Sequence, residues 1–252
     1  MSRFRIDIAY DGTPFEGWQS QREGSFTIQT TIEKAVSTLV KRQTKVTGAG
    51  RTDAGVHARC QTAHFDVESK MNGLAFQRGL NSLLPPAIRI LNCHEVDPTF
   101  HSRFSALARI YYYYLVNSEF ILPWEQPWNV KVSRIPPLTR LNSMANLLHG
   151  EVDFTTFSHA KDPSTSRERF IYHASWFPLK DKLVFKIAGN AFLWRMVRSL
   201  VGTMLELGKK EDARKCFKQA LEARDRSYAG PTAPAQGLFL HKVVYDAHEF
   251  SS

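Results

Sequence analysis

The stretch Gly48-Ala49-Gly50-Arg51-Thr52-Asp53-Ala54-Gly55-Val56-His57-Ala58 decides how the chain is read. Three glycines fall within eight residues. Glycine admits positive φ and lets a ligand approach the backbone closely. A dinucleotide fingerprint, G-x-G-x-x-G, needs a glycine where Asp53 stands. A carboxylate there would repel a pyrophosphate. The Gly-Lys-Ser/Thr ending of a Walker loop is absent as well. The loop is built to present polar side chains, with Asp53 at its centre. A plainer alternative is a turn whose aspartate caps a helix or tightens a bend. The crowding of Gly, Arg, Thr, Asp and His between strand-like segments exceeds what such a turn needs.

Outward from this loop, periodicity places the elements. Phe4, Ile6, Ile8 and Tyr10 alternate with polar residues, which predicts a strand over 4–10. Ile28, Ile32, Ala35, Val36 and Leu39 lie at helical spacing, which predicts a helix over 27–40. A strand over 60–67, a helix over 71–84 carrying Leu74, Leu80 and Leu83, and a strand over 88–96 follow. The aromatic run 110–117 reads as a strand. Residues 138–148 read as a helix and 170–188 as a hairpin turning at Lys180–Asp181. A helix over 191–207 carries Leu193, Met196, Val197, Leu200, Val201 and Met204, with Gly208 to end it. A shorter helix over 211–223 and a strand over 237–245 complete the pattern. Strands and helices mixed in this order predict an α+β protein of two similar α/β halves, 1–108 and 109–252. The longest irregular connection is 118–137.

Composition narrows the class. The chain has 252 residues, 43% of them hydrophobic, enough to bury a core without a disulfide or metal staple. Its 33 Lys+Arg against 24 Asp+Glu leave a net charge of +9, which suits a polyanionic partner such as nucleic acid. Cys60, Cys93 and Cys216 are odd in number and widely spaced, which argues against a disulfide framework. His57, Cys60 and His64 are too few to complete a tetrahedral metal site, so no metal is expected. Arg3, Arg5 and Asp7 break any signal-peptide core, and no apolar run reaches the length of about 18 that a membrane span needs. A cytoplasmic protein is the expectation.

The block Gly48–Ala58 resembles the signature of the tRNA pseudouridine synthase A family. AYDGTPFEGWQSQ near the start, TIQTTIEKAV, FHSRFSALARIYYYYL at 100–115, GEVDFTTF at 150–157, NAFLWRMVRSLVG at 190–202 and APAQGLFL at 233–240 match further family blocks in the same order. The resemblance implies the pseudouridine synthase fold, a mainly antiparallel mixed sheet with a central catalytic cleft. It implies a homodimer acting on uridines of the tRNA anticodon arm, at tRNA positions 38–40, without a cofactor. Ile110, Arg195 and Ala235 depart from residues common in the family, which bears on RNA contacts and site choice.

The reaction breaks the uridine N1–C1′ bond, turns the base and joins C5 to C1′. The resemblance assigns the nucleophilic carboxylate to Asp53, with attack at C1′, attack at C6 or a glycal all open. An aspartate must be ionised to attack, and a nearby arginine favours that form. The resemblance gives this role to Arg198, which helical spacing puts at the rim of the apolar stripe beside Val201. A snorkelling surface arginine is the simpler alternative. The resemblance selects Tyr111, among four consecutive tyrosines, to stack on the flipped uracil, and Arg51 to help fill the gap it leaves and hold the phosphates. Arg22, Arg78, Lys161, Arg167 and Arg169 are candidates to track the RNA backbone. His57 and His64 read as hydrogen-bonding residues rather than catalysts. A non-catalytic RNA-binding protein or RNA chaperone would use the same basic surface and aromatics, but has no need of a carboxylate in a glycine-rich loop. A nucleotide-dependent enzyme is disfavoured by the failed phosphate-loop patterns.

Overall fold

The computed structural model describes residues 1–19 and 24–251. Arg22 and the end of the AYDGTPFEGWQSQ block lie outside the described residues. Among the described residues the order is β1 (Ser2–Tyr10), α1 (Ile28–Val40), β2 (Thr47–Gly48), β3 (His57–Val67), α2 (Gly73–Leu83), β4 (Ile88–Val96), β5 (Ala108–Val116), β6 (Val130–Lys131), α3 (Leu138–Ala145), β7 (Gly150–Asp153), β8 (Glu168–Leu179), β9 (Lys182–Gly189), α4 (Met196–Leu207), α5 (Ala213–Ala223) and β10 (Leu238–Val244). The fold is α+β and its strand pairs are mainly antiparallel. The chain forms two compact units, Met1–Leu107 with Phe239–Ser252, and Ala108–Leu238.

In the first unit β1 is flanked by β3 and β4, both antiparallel, and β2 pairs with β3. Phe4, Ile6, Ile8 and Tyr10 are buried, as the alternation of β1 requires. They meet the apolar faces of the helices: the Phe76 ring of α2 lies 4.8 Å from Phe4 and 5.5 Å from Phe65. Helix α1 starts at a capping box between Thr27 and Thr30, which satisfies amides left open at a helix start. In α2 the core residues are Phe76 and Leu80, whereas Leu74 and Leu83 are exposed. Leu74, Leu80 and Leu83 thus do not form one buried face.

The chain's last segment returns to this unit. Phe239 and Leu240 pair in parallel with His57 and Ala58. The Leu107 amide donates to Val244 O (2.8 Å) and the Tyr245 hydroxyl to Ser102 O (2.6 Å). The C-terminal half read from sequence as 109–252 therefore does not keep its final strand.

In the second unit β9 lies between β5 and β8, β7 extends β8, and β6 adds in parallel to β5. Helix α3 is fastened to β8 by one side chain: Asn142 donates to Trp176 O (3.0 Å) and accepts from Trp176 N (2.8 Å). Trp176 is buried and reaches Met204 of α4 through its indole N–H. Helix α4 begins at Met196, not at 191. Arg195 precedes it with φ 61°, so the segment before it is a turn.

Candidate active site

The loop between β2 and β3 carries Arg51 and Asp53, and every anchor named here lies in the first unit. The Ala49 amide donates to Thr62 O at 2.8 Å. Gln61, fully buried, donates to Gly50 O at 2.8 Å. The Thr52 hydroxyl lies 2.9 Å from Tyr10 Oη, and Thr52 O accepts from the Trp18 amide at 3.0 Å. Asp53 O accepts from Val56 N at 3.1 Å, closing a four-residue turn whose third member, Gly55, has φ 75°. Only glycine enters that region without strain. Gly17 (φ 97°) packs against the loop from the other side: a Cβ there would lie 2.7 Å from Thr52 O and 3.0 Å from Ala54 N. The backbone on both sides of Asp53 is thereby pinned. Its side chain is half-buried and Arg51 is exposed. A carboxylate on a held backbone, in the same loop as an exposed arginine, can meet a polyanion and then do chemistry on it.

The neighbouring histidines are structural. His57 is fully buried and stacks on Phe239 at 4.6 Å. Its Nδ1 is 3.1 Å from both the Gly12 amide and Asp11 Oδ1. His64 Nδ1 accepts from the Ser102 amide at 3.2 Å. Burial, then the charges of Arg3 and His101, pull its pKa from the usual 6.5 down to about 4. Burial pushes the Cys60 thiol up to about 11 and the Cys93 thiol up to about 12, so neither is a thiolate nucleophile at neutral pH. Among the described residues, no group of three or more His, Cys, Asp and Glu side chains could hold a metal ion.

The second unit holds the other two residues singled out in the sequence. Tyr111 is buried on β5, and its ring meets Phe192 edge-on at 5.0 Å. Arg198 lies in the first turn of α4, half-buried. Its Nε donates to Ala233 O at 2.7 Å, and Ala233 N donates to Arg198 O at 3.0 Å. Beside it the Tyr113 hydroxyl donates to Pro234 O at 2.9 Å. Burial raises the Tyr113 phenol pKa against the opposing pull of Arg198. The start of α4 is held by Asp162, whose side chain is almost fully buried. Asp162 accepts from Trp194 N (2.5 Å) and Ser164 N (2.9 Å) and pairs with Arg167 (3.2 Å). Burial works to raise the Asp162 pKa, but the Trp194 and Ser164 hydrogen bonds and the Arg167 charge overcome it and hold it below its ordinary value.

Arg51 and Asp53 thus share one loop, while Tyr111 and Arg198 sit on a strand and a helix of the second unit. Of the other basic candidates, Arg78 and Lys161 are exposed. Arg167 is engaged with Asp162, and Arg169 donates to Ser166 O (3.0 Å) and Glu168 O (2.5 Å). Phe192, Ala233 and Gly17 have no signal of their own in the sequence. They lie inside or beside quoted blocks, but only the folded chain shows what they touch.

The family described as tRNA pseudouridine synthase matches residues 7–105 and 144–246. A tRNA pseudouridine synthase A of Treponema denticola is 46% identical over 246 residues, covering 95% of this chain and 91% of its own. That of Borreliella afzelii is 42% identical, covering 98% and 100%. That of Bacteroides thetaiotaomicron is 39% identical, covering 100% and 93%. The chain belongs to the tRNA pseudouridine synthase family. It is an isomerase that makes pseudouridine in tRNA, which closes the choice against a non-catalytic RNA-binding protein.

Proposed function

We propose that this chain isomerises uridines at tRNA positions 38–40, in the anticodon arm, working as a cytoplasmic homodimer, with Asp53 as the nucleophile. The observation that carries the assignment is the pinned backbone around Asp53. A carboxylate carried on backbone held from both sides, in the same loop as an exposed arginine, fits attack on a nucleotide lifted from its stack. By the family resemblance, Arg51 helps fill the gap left by the flipped base and hold the phosphates, Tyr111 stacks on the uracil, and Arg198 is a further substrate-binding residue. The step balances without a co-reactant. The N1–C1′ bond breaks, C5–C1′ forms, C5 loses a proton and N1 gains one. The test is a carbodiimide map of unmodified tRNA transcripts after incubation with the enzyme. Wild type gives adduct stops at positions 38–40 and Asp53→Ala gives none. Stops confined to other uridines contradict the site assignment, and stops left by Asp53→Ala contradict the nucleophile.

A further inference from the structure

Phe104 is 76% exposed, the most exposed large apolar side chain among the described residues. Single exposed apolar residues are common and need no explanation, but the loop that presents this one is tightly built. His101 Nδ1 accepts from the amides of Arg103 (3.1 Å) and Phe104 (3.3 Å). Ser102 Oγ donates to Thr47 O at 2.7 Å, and Ser102 O accepts from Tyr245 at 2.6 Å. Ser105 closes the turn, its amide on His101 O (2.8 Å) and its hydroxyl accepting from His101 N (2.9 Å). The His101 ring backs Phe104 at 4.4 Å, and the Arg103 guanidinium lies 5.6 Å from the Phe104 centroid.

We propose that Phe104 is a stacking platform on which an unpaired base of the tRNA substrate lies, with His101 supporting the ring and Arg103 supplying the cationic rim. Every base has a π-face that an aromatic ring can receive. A rigid loop spares the ordering cost that a mobile side chain would add on binding. A buried protein contact would favour apolar neighbours, whereas Arg103 and Ser105 flank the ring. The net charge of +9 brings a polyanion to this surface.

The inference rests on tRNA being the substrate, so the experiment starts with a parent that binds without turnover. Affinity for an unmodified tRNA transcript is measured with Asp53→Asn, then with Phe104→Ala, Phe104→Leu and Phe104→Trp added to it. Alanine and leucine weaken binding about tenfold, within the range for loss of one base stack. Tryptophan keeps the affinity, and its added fluorescence is quenched by tRNA. The slope of log affinity against log salt is unchanged, because no phosphate contact is lost. Alanine and leucine variants that bind like the parent overturn the proposal. So does a leucine variant that binds as tightly as phenylalanine, or an alanine variant whose only change is in the sedimentation of the RNA-free protein. A parent that binds no tRNA overturns the substrate reading along with it, which keeps the two failures apart.

Discussion

At the scale of single residues, burial of a titratable group makes stability depend on pH. His64 is held neutral, with a folded pKa near 4 against the usual 6.5. Between those values the unfolded chain binds the extra proton and the folded chain does not. Stability therefore falls as pH drops from about 6.5 to about 4. Urea melts across that window should show the slope, and His64→Gln should flatten it. Gly17→Ala acts on the active loop through its backbone and leaves the Asp53 side chain in place: the added Cβ would lie 3.0 Å from the Asp53 carbonyl carbon. The positive φ of Gly17 and the close approach to Thr52 O make the substitution cost about 1–3 kcal/mol. The turnover number should fall while the KM for tRNA changes little, since the pinned backbone shifts but no RNA contact is removed. In the sequence, Asp53 stood out because a carboxylate in a glycine-rich loop fits neither the dinucleotide nor the Walker pattern, and its role as nucleophile came from the family resemblance. The braces from Gly17, Trp18 and Gln61 did not stand out. They act through backbone atoms and close contacts that carry no motif.

At the scale of elements, periodicity was a good guide where one face is buried and a poor one where a local contact redirects the chain. The alternation of Phe4, Ile6, Ile8 and Tyr10 marks β1 correctly. The apolar stripe from Leu193 onward suggested a helix from 191, yet α4 begins at Met196. Leu193 is buried in a turn, and burial alone has no period. Asp162, far back in the sequence, takes the Trp194 amide and fixes where the helix starts. Asp162→Ala leaves that amide, the Ser164 amide and part of Arg167 without a partner. Stability should fall by about 3 kcal/mol in thermal or denaturant melts at neutral pH. Because the Asp162 pKa is depressed, its contribution is full at neutral pH and is lost as pH falls through the folded value. Little difference between Asp162→Ala and wild type at pH 7 would contradict this reading.

At the scale of the whole molecule, the division into two units was harder to read than their composition. Strand β10 is last in the chain but pairs with β3. A pairing across so long a separation leaves no trace in a local pattern. A chain ending at Leu238 should lose the buried side chains Leu240, Val243 and Val244 from the first unit. Limited proteolysis should then cut within residues 1–107 at conditions that leave the full chain intact. The family relation and the pinned loop meet in one claim, that Asp53 carries the isomerisation of uridine in tRNA. Release of tritium from uracil C5 of unmodified tRNA, followed without added cofactor, tests it most directly. The account predicts steady release by wild type and none above background by a folded Asp53→Asn. Equal release by both proteins, or none by wild type across several tRNAs, would contradict it.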